Sequence, residues 1–114
     1  MATITLKISG QNNGVPTLQD ENGNTVNGDI DCSTGDTIQW NINPNSGVSA
    51  ICIKKTGGTD VFDGDLQQRG NSNNWYGVVA NDTGGDEEDY SIAASACPEA
   101  KVWHDPKITV RAKK

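Results

Sequence analysis

The chain has 114 residues, 33% of them hydrophobic and only 5% aromatic, with 13 glycines and a formal net charge of −6. That length supports one domain with one core, residues 1–114, and the acidic balance excludes a nucleic-acid binder, whose phosphates call for a basic groove. No apolar run approaches the ~18 residues of a membrane span, and no window repeats its apolar residues at the 3.6 period of a long helix, which leaves an all-β chain of short strands.

The start, "MATITLKISG", lacks the basic head and apolar stretch of a signal peptide. It reads as a strand instead, with Ile4, Leu6 and Ile8 on one face and Thr3, Thr5, Lys7 and Ser9 on the other. The compartment stays open at this point: the cytoplasm, outside the cell by a route without a cleaved leader, or a mature chain numbered after its leader. "GQNNG" is a turn, and "VPTLQD" is a short strand that Pro16 assigns to an edge or a strand start. Asn22-Gly23 and Asn27-Gly28 are turn signals on either side of Val26.

"TGDTIQWNI" is the clearest strand, with Ile38, Trp40 and Ile42 inward. "VSAICIKK" is apolar on both faces and reads as a central strand. Residues 56–74 form a long irregular connection, and such connections are functional or mobile. "WYGVVA" is the next strand, "NDTGGDEED" an acidic turn, and "YSIAAS" a strand with Tyr90, Ile92 and Ala94 on one face. "ACPEAKVWHD" is a loop with a short strand at residues 101–103, and "PKITVRA" closes the chain with Ile108 and Val110 inward. The expectation is seven to nine short strands in a two-sheet antiparallel Greek-key sandwich.

Two segments carry a family resemblance. "GDTIQW" resembles the Gly-Asp-x-hydrophobic-x-aromatic strand of cupredoxins, and "YSIAA" followed by "KITV" resembles their closing pair of strands. The similarity runs over roughly residues 33–110 and implies a cupredoxin-like or Ig-like β-sandwich. It also implies a place for copper, which needs two histidines, a cysteine thiolate and a weak axial methionine. The ligand positions do not match. The loop "NPNSGV" has no histidine, Ala94 stands at the cysteine position, and Cys97 and Val102 stand near the second histidine and the methionine. The chain's one histidine is His104 and its one methionine is Met1, so no metal and no cofactor is expected.

The three cysteines, Cys32, Cys52 and Cys97, allow at most one internal disulfide and show no CxxC spacing. The favoured reading is three reduced, partly buried side chains. Catalysis by a serine or cysteine nucleophile would need His104 as its base. Asp105, its neighbour on an extended chain, points elsewhere, and no GxSxG is present, so no catalytic residue is named and the chain is read as non-enzymatic. Carboxylates gather at Asp60, Asp63 and Asp65 and again in residues 82–89. They suit calcium oxygen chemistry and equally suit plain solvated turns.

The remaining signal is aromatic. Trp75 and Tyr76 are adjacent on one strand, so one of them faces outward, and Trp103 has the parity opposite to the inward Val102. With Asn71, Asn73 and Asn74 nearby in the sequence, these six residues are the candidate ligand-binding set: rings to stack, amides to bond hydroxyls. The competing reading is that each tryptophan packs under its own loop. The function that follows is a binding module for a protein or glycan, with self-assembly as a further use of such a surface. A small lectin, with or without calcium, is the alternative.

Overall fold

The computed structural model describes residues 2–64, 66–68, 74–97 and 100–111. Ten strands follow one another, with no α-helix among the described residues. One sheet holds β1 (Thr3–Asn12), β2 (Val15–Gln19), β3 (Thr25–Val26), β5 (Thr37–Ile42), β7 (Gln67–Gln68) and β8 (Trp75–Val78), in the order β3-β2-β1-β5-β8-β7. The other holds β4 (Ile30–Cys32), β6 (Cys52–Gly58), β9 (Glu87–Ala93) and β10 (Lys107–Val110), in the order β4-β10-β9-β6.

Local sequence explains the joints. Asn13 (φ 55°) and Gly14 (φ 89°) both adopt the left-handed conformation, which closes β1 on β2 with Asn12 opposite Val15. Strand alternation then sorts the side chains. Leu6, Ile8, Leu18, Ile38 and Trp40 of the first sheet meet Ile30, Cys32, Tyr90, Ile92, Ile108 and Val110 of the second in one shared core. Burying each aliphatic side chain stabilises the fold by about 1.5–3 kcal/mol before entropy is counted. At the centre, the Trp40 and Tyr90 rings meet edge-on at 5.4 Å between centroids. Trp40 Nε1 donates to the Tyr90 hydroxyl, which donates in turn to Gly28 O at 2.6 Å, so both buried polar atoms are satisfied.

Several expectations need correction. The sheets are mixed and not antiparallel throughout: β1 runs parallel to β5, and β4 parallel to β10. Alternation reports which face a side chain takes, and it carries no information about strand direction. Among the described residues there are ten strands and not seven to nine; β3 and β7 are two-residue pieces too short to leave a pattern. The "ICIKK" strand, β6, lies at an edge and not at the centre. Its outward Cys52 is buried because it is bonded to Cys97, which corrects the reading of three reduced thiols; only Cys32 is free, and it is buried.

Residues 101–103 form no strand. Val102 is exposed, against Gly14, and Trp103 is half-buried. The alternation of β10 does not extend back through Asp105-Pro106: before Lys107 the ladder with β9 is reduced to one isolated bridge, between His104 and Ile92.

Candidate functional site

The candidate ligand-binding residues do not form one patch. Trp75 points between the sheets and donates from Nε1 to Ile51 O at 3.1 Å, tying β8 of the first sheet to the start of β6. Tyr76 takes the opposite face, where its hydroxyl donates to Gln67 Oε1. Asn74 Oδ1 accepts from Ile42 N at 2.8 Å and so helps end β5. Asn71 and Asn73 lie outside the described residues. The first part of the long connection is held down: Phe62 bridges Val79, and Phe62 and Leu66 cover Gly77 so closely that a Cβ there would come within 2.6 and 2.5 Å of them.

Trp103 stands in a different setting, on the outer face of the four-stranded sheet. Three adjacent stretches build it. From β6 come Lys54 and Thr56, from β9 come Asp89 and Ser91, and from the segment before β10 come Trp103 and Asp105. Lys54 and Ser91 are direct cross-strand partners. The Asp105 segment is fixed by paired bonds between Ile92 and His104 (2.9 and 3.0 Å) and by Tyr90 N to Pro106 O. These six side chains line an open groove of about 480 Å³.

Within the groove the Lys54 ammonium sits 4.2 Å from the centre of the Trp103 ring, a cation–π contact worth roughly 0.5–1 kcal/mol at an exposed site. The Ser91 hydroxyl donates to Asp105 Oδ1. The groove thus offers one aromatic surface, the Thr56 hydroxyl, two carboxylates and one ammonium, with the buried Ser91 at its floor holding Asp105. Strand alternation puts Asp89 and Ser91 outward between the inward Glu88, Tyr90 and Ile92. The sequence signal for this site was the alternation of β9 together with Trp103; its partners on β6 come from the fold alone.

The chain's histidine is turned elsewhere. His104 Nε2 is bonded to Asn27 O, so no imidazole stands beside the Ser91–Asp105 pair. Among the described residues no three His, Cys, Asp or Glu side chains cluster as metal ligands. In the acidic loop after β6, Asp60 is paired with Lys55 at 2.7 Å. Burial works against ionisation of Asp60, yet Lys55 and the Phe62 N–H hold its carboxyl below the usual range.

One carboxyl group is buried on the other face. Glu88 is 1% exposed and points between the sheets. Oε1 accepts from Val61 N at 3.1 Å, while Oε2 makes no hydrogen bond. Burial raises its pKa to about 7; the Val61 N–H and Lys55 pull it down and the Asp60 charge pushes it further up. Glu88 thereby props the connection that crosses from β6 to the other sheet.

No family model matches the chain, and no curated protein matches it. Among solved structures it is similar to parts of an endo-fucoidan hydrolase from glycoside hydrolase family 107: 16% identity over 94% of this chain, TM-score 0.46. A variant of that enzyme aligns at 17% identity over 75% of this chain, TM-score 0.43. The chain spans only 15% and 13% of those two chains.

Proposed function

We propose that this protein is a non-catalytic binding module with a cupredoxin-like, Greek-key β-sandwich, and that the Trp103 groove takes a hydroxyl-rich ligand of the glycan class. The observation that carries the reading is the groove itself. A half-buried tryptophan stands among Ser91, Thr56, Asp89 and Asp105 on a sheet face that the core does not need. An indole supplies a flat apolar platform for the C–H face of a sugar ring, and carboxylates and hydroxyls accept from and donate to its hydroxyl groups. With the single imidazole bound to Asn27 O, the Ser91 hydroxyl is held by the Asp105 carboxylate and has no histidine beside it, which supports a binding role over a Ser–His catalytic one. The Cys52–Cys97 disulfide supports an oxidising compartment as the place of work.

A glycan array tests this. Wild type should bind a limited set of glycans, and Trp103→Ala should lose that binding while keeping its fold. Equal binding by both proteins, with loss of binding in variants of residues 71–74 instead, would move the site to the long connection. Repeating the array with chelator separates a calcium-assisted lectin from a metal-independent one.

A further inference from the structure

The first half of β1 has a strand on one side only. β5 pairs with it from Thr3 to Ile8, whereas β2 joins only from Lys7, opposite Gln19. Thr37 N donates to Ala2 O, which sets the alternation: the main-chain groups of Ile4 and Leu6 face β5, and those of Thr3 and Thr5 face the open side. Past Gln19 the chain leaves the sheet through a turn toward β3. A slot of about 320 Å³ remains between β1 and residues 29–31. Its floor is apolar, from Ile4, Leu6, Val26 and Ile30. Its rim is acidic, from Asp20, Glu21, Asp29 and Asp31.

Glu21 shows what the open edge accepts. Its Oε1 takes the outward N–H of Thr5 at 3.2 Å, the place where the carbonyl of a neighbouring strand would stand. Asp20 is tied to the backbone N–H groups of Asn22 and Asn24, and Asp29 to that of Lys107, so their charges are fixed at the rim. Neither ion pair among the described residues involves any of the four carboxylates. The slot therefore combines unpaired strand edge, apolar floor and uncompensated negative charge.

We infer that this slot docks an extended peptide of alternating apolar and basic side chains, which adds as a further strand to the open edge of β1. A peptide carbonyl replaces the Glu21 carboxylate on Thr5 N–H, apolar side chains reach Leu6 and Ile30, and lysine or arginine side chains meet the rim. Main-chain pairing supplies affinity and the floor and rim supply selectivity, as in other strand additions. The net charge of −6 favours the encounter.

The test titrates the full chain with a synthetic octapeptide of alternating valine and lysine, and with the same peptide methylated on alternate backbone nitrogens. The expected result is saturable binding that slows hydrogen exchange at the Thr3 and Thr5 amides and weakens about tenfold or more on methylation. Thr5→Pro, which removes the outward N–H and leaves the main-chain pairing with β5, should weaken it to a similar degree, whereas Thr5→Ala, which loses only the Thr5 Oγ1 bond from Gln39, should not. Equal binding of the methylated peptide would show charge attraction alone and overturn the inference, as would absence of binding. A peptide-free dimer that protects the same amides would assign the edge to a second copy of the chain and overturn it too.

Discussion

The interior between the sheets and the outer face of the four-stranded sheet use the same residue types to opposite ends. Trp40 is fully enclosed, its nitrogen bonded to Tyr90 and its ring packed on Tyr90 and Phe62. Trp103 lies half-open under Lys54. Consecutive carboxylates on β9 divide in the same way: Glu88 is sealed inside with one oxygen unpartnered, and Asp89 lines the groove. Inside, geometry is set by the need to fill space and pair polar atoms, a rule that one oxygen of Glu88 escapes. Outside, it is set by which loop happens to lie over the sheet, and that freedom is what leaves room for a ligand.

The largest effect that would break this contrast is at Trp40. Trp40→Ala should cost ~3–5 kcal/mol in chemical denaturation, as expected for a large enclosed aromatic. A midpoint equal to wild type would show that Trp40 does not hold the interior.

The disulfide belongs to the outer face, since Cys52 shares its side of β6 with Lys54. It closes a loop with a sequence separation of 45. Replacing Cys52 and Cys97 by serine together should cost ~3–4 kcal/mol on a chain-entropy estimate. Thiol titration sharpens the point. The unreduced chain should show one reactive group when denatured and none when native, because burial pushes the Cys32 thiol up to about 11. Three groups in the denatured chain would mean that the disulfide does not form.

Glu88 gives a pH signature confined to the interior. Its carboxyl ionises near 4.5 when unfolded and at about 7 when folded. Between these values the folded chain keeps a proton that the unfolded chain releases, so the stabilising contribution is complete below about 4.5 and is lost as pH rises through 7. The loss should be on the order of 2–3 kcal/mol. In Glu88→Gln this slope should vanish between pH 5 and 8, measured as the difference in denaturant midpoint from wild type. A wild-type chain with no slope across that window would place Glu88 in contact with water.

The smallest effect on stability should come from Trp103. Trp103→Ala removes a half-exposed ring and its contact with Lys54, and should cost about 1 kcal/mol. A loss as large as that at Trp40 would mean that Trp103 is a core residue, and the groove would lose its claim to be a binding surface.

Much of the interior was legible along the chain because a strand repeats every two residues. Ile38 and Trp40, Tyr90 and Ile92, Ile108 and Val110 all declared their face, and all are buried. The groove was only half legible. Trp103 stood out as an aromatic in a polar loop, yet the parity argument that made it exposed assumed an unbroken strand up to β10, and Val102 is the more exposed of the two. Trp75 and Tyr76 were rightly separated onto two faces, but Trp75 serves the edge of the core through Ile51 O. The Cys52–Cys97 bond was one of three possible pairings, and nothing in the spacing selected it.

The sequence by itself determined that the chain is all-β, where its turns fall and which side chains line the core, because turn chemistry and strand alternation act between near neighbours. Only the tertiary structure decided that β1 lies parallel to β5 and β4 to β10, that β6 stands at an edge, and that Lys54, Ser91, Trp103 and Asp105 share one groove. Those relations join residues far apart in the chain. They are fixed by which strand comes to lie beside which, a choice made by the summed packing of both sheets and written in no single stretch of residues.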